Sequence, residues 1–240
     1  MDAVTQDSLF NGRIRLKQHR SGYRYSIDAV ILASCVHPKP GETVVDLGTG
    51  CGVIPLILAF RHPGLRIWGI ELQASMAAVA QENVRDNNLT SAVTVVCADM
   101  RNVRPASVGA PVDIVVSNPP YRRSRSGRVN PDRQRALARH EIAVTLPDVI
   151  RASRRLLKTG GRLIMIYTAV RSAELLCQMR AERIEPKRLR SIHSSEQHDA
   201  SLVLVEGIRE GRPGLAIAPP LTVYAGDGSY TPDVQAMFRA

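Results

Sequence analysis

Asn118-Pro119-Pro120-Tyr121 stands directly behind Val112-Asp113-Ile114-Val115-Val116-Ser117, a run that reads as a buried parallel strand. An amide side chain, a proline carbonyl and an aromatic ring at a strand's carboxyl end can hold a planar NH2 group between them. That equipment suits the methylation of an amine that is a poor nucleophile. In adenine or a carboxamide the nitrogen lone pair is delocalised, and two acceptors gripping its hydrogens favour the pyramidal form that can attack. The acceptors would be Asn118 Oδ1 and the Pro119 carbonyl, with Tyr121 as a stacking face. Taken alone, the four residues equally describe a Pro-Pro turn that ends a strand; the upstream sequence decides between the two.

Asp46-Leu47-Gly48-Thr49-Gly50-Cys51-Gly52 follows the strand-like run Thr43 to Leu47 and opens a helix from Val53 to Arg61. Open α/β sheets bind nucleotide-like ligands at such a place, and glycines let a ligand lie against bare backbone. A dinucleotide fingerprint needs G-x-G-x-x-G/A, and Val53 holds the last position, which disfavours NAD. Asp46 argues the same way: a carboxylate repels a pyrophosphate yet is compatible with the ammonium and sulfonium charges of S-adenosylmethionine. Glu71 ends the second strand, where a carboxylate can accept hydrogen bonds from both ribose hydroxyls. Ala98, Asp99 and Met100 follow the third, with Asp99 placed to reach an adenine amine and Met100 to pack on its ring. Singly, Glu71 or Asp99 is more often a solvated strand-end carboxylate. On consecutive strands, ahead of Asn118 on the fourth, they read as one site.

The elements that must position these residues follow from hydrophobic patterning. Strand-like runs at Thr43 to Leu47, Leu65 to Glu71, Ala92 to Cys97, Val112 to Ser117, Arg162 to Tyr167 and Ser201 to Glu206 alternate with helix-like stretches. That alternation predicts a parallel sheet covered on both faces. Arg183 to Ile192 adds a further strand, which Pro186 would confine to an edge or a bulge. Asn87-Asn88 stops the helix that carries Met76, Ala77, Ala80 and Val84, and Gly160-Gly161 marks another helix end feeding a strand. Residues 9 to 25 read as a basic hairpin turning at Gly12 and Gly22, before a first helix capped by Ser26 with Asp28 in its first turn. A last hairpin is expected around Ala225-Gly226-Asp227-Gly228.

Composition bounds the rest. The 240 residues are 44% hydrophobic and 22% charged, ordinary for a globular chain with a real core. The formal net charge is +10, and only Lys17, Lys39, Lys158 and Lys187 are lysines, so the excess is arginine. Guanidinium forks match phosphate oxygens and stack on bases, which points to a nucleic acid partner. Seven arginines, Arg122, Arg123, Arg125, Arg128, Arg133, Arg135 and Arg139, oppose a single Asp132 directly after Tyr121. An isolated charge run is usually a solvated surface, but this one adjoins the proposed chemistry and is the candidate phosphate clamp. His140, next to Glu141 at a helix start, reads as structural; His193 and His198 read as surface residues, and Trp68 as core or sheet face. Cys35, Cys51, Cys97 and Cys177 lack zinc-site spacing, so no metal is expected. Cys35 and Cys97 in apolar segments read as buried thiols of a reducing cytoplasm. No signal-like start or membrane-length apolar run is present, and no membrane partner is expected.

Taken together these residues resemble class I S-adenosylmethionine-dependent methyltransferases, and more closely the bacterial family that methylates the exocyclic amine of an adenosine next to the anticodon of a valine tRNA. The resemblance rests on Ser26 to Ala33, Asp46 to Gly52, Gly69-Ile70-Glu71-Leu72, Glu82-Asn83, Asp99, Asn118 to Tyr121, Ala138-Arg139-His140-Glu141 and Gly226 to Thr231. It implies a Rossmann-like α/β fold: a seven-stranded, mostly parallel sheet with the last strand antiparallel and helices on both faces. It also implies that Tyr25, Ser26 and Asp28 close over the methionine end of the cofactor. One methyltransferase domain would then span the chain, with residues 1–25 and 208–240 as extensions of a 26–207 core. The expected partner is RNA, most simply tRNA, with the protein a monomer or homodimer. Enzymes that methylate a glutamine side chain in release factors share Asn-Pro-Pro-Tyr but resemble a longer design with a helical domain ahead of the sheet. A DNA adenine methyltransferase, a ribosomal RNA amine methyltransferase and a noncatalytic RNA-binding module are the other readings; binding of S-adenosylmethionine separates the last from the rest.

Overall fold

The structure, a computed structural model, describes residues 4–20, 25–120 and 144–239. In chain order it runs β1 (Val4–Leu9), β2 (Ile14–His19), α1 (Ile27–Ser34), β3 (Thr43–Leu47), α2 (Val53–Arg61), β4 (Arg66–Glu71), α3 (Ala74–Asp86), β5 (Val93–Cys97) and β6 (Val112–Ser117). After the basic segment come α4 (Leu146–Leu156), β7 (Leu157–Thr168), α5 (Ser172–Ala181), β8 (Ile184–His193), β9 (Ala200–Arg209), β10 (Ala216–Thr222) and α6 (Pro232–Ala236).

The main sheet has the order β10-β8-β9-β7-β6-β3-β4-β5. Strands β3 to β7 are parallel, and β9 runs antiparallel to both β7 and β8. Seven of these strands meet the expectation; the eighth, β10, does not. It lies parallel to β8 on the outer edge and contains Pro219-Pro220, at which the register with β8 shifts. Two prolines obscured it in the sequence, since they deplete ladder donors and are tolerated only at an edge. The strand carrying Pro186 is consequently interior, and its proline is absorbed by a register shift between Pro186 and Arg188 rather than by an edge position.

Strand alternation splits the core into two. Val44, Ile114 and Val116 point into one cluster with α1, α2 and α3, while Val45, Leu47 and Val115 point into another with α4 and α5. Both faces are therefore dry, and β3 is buried at every position. The helices are seated by matching means. Thr145 and Asp148 form a reciprocal capping box at the start of α4, whose apolar stripe of Leu146, Val149, Ile150 and Leu156 is buried.

Several local expectations shift. The hairpin is β1–β2, turning at residues 10–13, so its first strand starts ahead of Leu9; Gln6, Asp7 and Ser8 hid it by their polarity. The helix before Gly160-Gly161 ends at Leu156, and both glycines lie within β7, where the Cβ of a residue at 161 would meet the Lys158 carbonyl at 2.9 Å. Cys97 is exposed, because β5 is an outer strand and Cys97 its last residue; Cys35 is partly buried. The last hairpin is present as a Tyr224–Tyr230 bridge closed by a turn in which Ala225 N donates to Ser229 O. No helix among the described residues is long and apolar enough to cross a membrane.

Candidate active site

The parallel strands deliver their carboxyl ends to one rim, and β3 supplies its centre. Asp46 is fully buried there, pairs in register with Val116 of β6, and shares the face that Val44 presents. Thr49 Oγ1 donates to Asp46 Oδ2 at 2.7 Å, whereas Asp46 Oδ1 is buried without a hydrogen-bond partner. Burial pushes the Asp46 carboxyl up to about 7; the Thr49 hydroxyl opposes the shift and the nearby Glu71 adds to it. A buried carboxylate oxygen with no donor is costly, and a cationic or N–H-bearing ligand would relieve it.

The glycine loop is folded around that carboxylate. Gly48 and Thr49 donate their N–H groups to Ile70 O at 2.9 and 3.0 Å, which ties the loop to the end of β4. Gly50 takes φ +57° and gives its N–H to Glu71 Oε2 at 2.9 Å, a left-handed turn that favours glycine. Gln73 N donates to Glu71 Oε1 at 2.9 Å, so the carboxylate is oriented by two backbone donors and is itself almost buried. Each oxygen retains acceptor capacity for a hydroxyl. Gly69 is required by packing, since a Cβ there would lie 2.9 Å from Thr49 Cγ2.

Asp99 and Met100 stand on the same rim but are engaged. Arg101 grips Asp99 through Nε and Nη2, at 2.6 to 3.0 Å, and its side-chain hydrogen bonds hold the Asp99 carboxyl below its usual range. Met100 is buried in the cluster of Leu47 and Ile70, with its Cε 3.9 Å from where a Gly48 Cβ would be. Arg155 of α4 holds this loop from behind, donating to Met100 O at 2.7 Å and Val103 O at 2.8 Å.

Ser117 Oγ, fully buried, donates to Leu47 O at 2.8 Å and so fastens the last residue of β6 to the last residue of β3. Asn118 follows immediately, two residues beyond Val116 and on the parity that Asp46 shares, with Pro119 buried and Pro120 exposed. Asn83, buried on α3, donates to Cys51 O and Lys17 O at 2.9 Å each, stitching β2 to the glycine loop. Tyr25, Ser26 and Asp28 are half-buried at the start of α1. Ser26 occupies the N-cap position, but its hydroxyl does not cap the helix and is buried without a partner. Arg61 at the end of α2 donates to Ser34 Oγ at the end of α1, so the two helices run the same way and both begin at the rim.

The structure thus gathers Asp46 to Gly52, Glu71, Leu72, Ala98 to Met100 and Asn118 to Pro120 at one end of the sheet. Tyr121, the seven arginines and His140 lie outside the described residues. Sequence reasoning missed Ser117, Arg101 and Arg155. Only Ser117 carried a signal, as a lone hydroxyl closing an apolar strand.

A glycine loop, two strand-end carboxylates and an Asn-Pro-Pro segment on one rim of a β5-β4-β3-β6-β7-β9-β8 sheet define the methyl-transferring class of Rossmann-like domains. The chain belongs to the methyltransferase small domain family, whose model matches residues 23–182. It is 28% identical over 230 residues to the tRNA1(Val) (adenine(37)-N6)-methyltransferase of Porphyromonas gingivalis, with 92% of this chain and 89% of that one covered. Among solved structures it resembles protein Atu636 of Agrobacterium tumefaciens, described as a predicted O-methyltransferase, at 25% identity and TM-score 0.71 over 89% of this chain and 97% of that one. It shares the fold of geranyl diphosphate C-methyltransferase from Streptomyces coelicolor A3(2), solved with S-adenosyl-L-homocysteine, at 18% identity and TM-score 0.55, covering 75% of this chain and 79% of that one.

Proposed function

We propose that this methyltransferase moves a methyl group from S-adenosylmethionine to N6 of an adenosine in tRNA, beside the anticodon. The observation that carries the reading is the Ser117 Oγ to Leu47 O bond, because it brings the amine-gripping Asn118 within one residue of the clamp that joins it to the cofactor loop. The relative from Porphyromonas gingivalis, aligned over most of both chains, supplies the substrate class.

The residues suit the cofactor. Asp46, with one unpaired buried oxygen, would face positive charge or N–H donors, Glu71 the ribose hydroxyls, and Met100 with Asp99 the adenine. When bound, S-adenosylmethionine supplies an intrinsically electrophilic methyl group. The protein's own task is alignment, worth ~7–11 kcal/mol when reacting atoms are well oriented. Asn118 Oδ1 and the Pro119 carbonyl accept the two hydrogens of the target amine, and these bonds strengthen as positive charge develops on nitrogen. No dedicated base is needed, since the proton leaves after the charge has formed. Pairing with Arg101 means that Asp99 must share its oxygens or exchange partners to receive an adenine amine. The arginines at 122–139 would hold RNA phosphates, and Tyr121 would stack on the extruded base. A cytoplasmic location goes with this role.

The test is incubation with labelled S-adenosylmethionine and, separately, total tRNA, ribosomal RNA and release factor, followed by digestion and identification of the labelled product. N6-methyladenosine in tRNA is the expected outcome. Label in glutamine or on a hydroxyl oxygen would overturn the substrate assignment.

A further inference from the structure

The β1–β2 hairpin forms a sheet of its own, and α3 holds it by an unusual means. Arg15 and Lys17 of β2 each present a backbone N–H and C=O to α3, as they would to a third strand. Asn87 accepts from Arg15 N at 2.9 Å and donates to Arg15 O at 2.7 Å. Asn83, one helical turn earlier, accepts from Lys17 N at 2.7 Å and donates to Lys17 O at 2.9 Å. The spacing fits, since four residues of helix rise about 6 Å and two residues of strand about 6.6 Å. Two carboxamides thus stand in for a neighbouring strand, and the Lys17 ammonium adds ion pairs to Glu82 and Asp86.

The two asparagines differ in where the second amide hydrogen goes. Asn87 Nδ2 donates it to Asn83 O at 2.7 Å, within α3. Asn83 Nδ2 donates it to Cys51 O at 2.9 Å, in the glycine loop between Gly50 and Gly52. Helix α3 seats that loop closely, because a Cβ at residue 52 would lie 3.3 Å from Ala80 Cβ. Asn83 is 1% exposed, so water does not substitute for a lost partner. A carboxamide is planar, and the paired bonds to Lys17 fix its plane. They therefore also fix the direction of the hydrogen aimed at Cys51 O.

We infer that Asn83 is a positioning residue for the cofactor, through which docking of the N-terminal hairpin and binding of S-adenosylmethionine form one linked equilibrium. The inference rests on the proposed cofactor site, since the loop that Asn83 holds is the one whose Gly50 N–H orients Glu71. A ligand seated on that loop favours the arrangement in which Cys51 O meets Asn83. The same arrangement is favoured when Lys17 has already aligned the carboxamide. Each event then stabilises the other by an equal free energy. Lys17 bears on cofactor affinity through its backbone, whereas Arg15, held by Asn87, affects only the seating of β2.

The experiment uses the full chain, with calorimetry of S-adenosylmethionine binding and amide hydrogen exchange of β2 measured with and without saturating cofactor. In the wild type the cofactor should slow exchange over Ile14–His19. Asn83→Ser should weaken S-adenosylmethionine binding about tenfold and erase that slowing, as expected for the loss of buried hydrogen bonds. Asn87→Ser should speed β2 exchange in the free protein to a similar extent, yet leave cofactor affinity and the cofactor-dependent slowing in place. A purely structural role would move both variants alike. The wild-type exchange measurement decides the matter even where Asn83→Ser does not fold: β2 exchange that is unchanged at saturating cofactor overturns this inference alone. So does wild-type affinity in a folded Asn83→Ser, or an equal loss of affinity in Asn87→Ser. Failure of the wild type to bind S-adenosylmethionine overturns the proposed cofactor and this inference together.

Discussion

At the scale of single residues the site divides labour between an amide and a carboxylate. On the proposed mechanism Asn118→Ala removes one of two acceptors that strengthen in the transition state, so kcat should fall about 100-fold or more while the calorimetric affinity for S-adenosylmethionine stays nearly constant. Retained turnover would sink the role given to Asn118. Asp46 makes a different prediction. Its folded pKa of about 7 lies above the ordinary value of 3.8, so the folded state holds the extra proton between those limits. The stability linked to Asp46 is full below pH 3.8 and declines as pH rises through 7. A positively charged donor reverses the preference, because it favours the anion. S-adenosylmethionine should therefore bind more tightly at about pH 8 than at about pH 6, with proton release visible as a buffer-dependent heat. In Asp46→Asn that pH dependence should vanish. The types and order of these residues were legible in the sequence, whereas their engagements were not: the Asp99–Arg101 pair and the Ser117 bond depend on backbone geometry that no spacing rule encodes.

Elements place these residues, and α4 does so from outside the cleft. Arg155→Ala would release the carbonyls of Met100 and Val103 from a charged donor, loosening the loop behind Asp99. Affinity for S-adenosylmethionine should weaken severalfold with little change in kcat at saturation, and the thermal midpoint should drop in line with a destabilisation of ~1–3 kcal/mol. A second test lies at the crossing of β4 with the glycine loop. Gly69→Ala would press on Thr49 and thereby on its bond to Asp46, so cofactor affinity should fall although residue 69 meets no ligand. Elements were read best where burial is continuous. Strands Thr43–Leu47 and Val112–Ser117 and helix Val53–Arg61 were found to the residue, because short, mostly apolar runs with glycine, proline or asparagine close to their ends admit few alternatives. Polar Val4–Leu9 and proline-bearing Ala216–Thr222 form through tertiary pairing and left little periodicity to read.

On the scale of the whole molecule, the rim of strand ends gathers the chemistry and the arginine excess supplies attraction for a polyanion. Affinity for tRNA should fall with rising salt, and joint replacement of Arg122, Arg123 and Arg125 by glutamine should flatten the dependence by about 0.7 in slope for each phosphate no longer neutralised. Unchanged slope would place the phosphate-binding groups elsewhere. The outer boundary of the sheet has a consequence of its own. Pro219 and Pro220 deprive β10 of two main-chain N–H donors at the point where its register with β8 shifts. A second molecule that tried to append itself along this rail would meet a gap in the hydrogen-bonding comb, which disfavours strand addition at this edge.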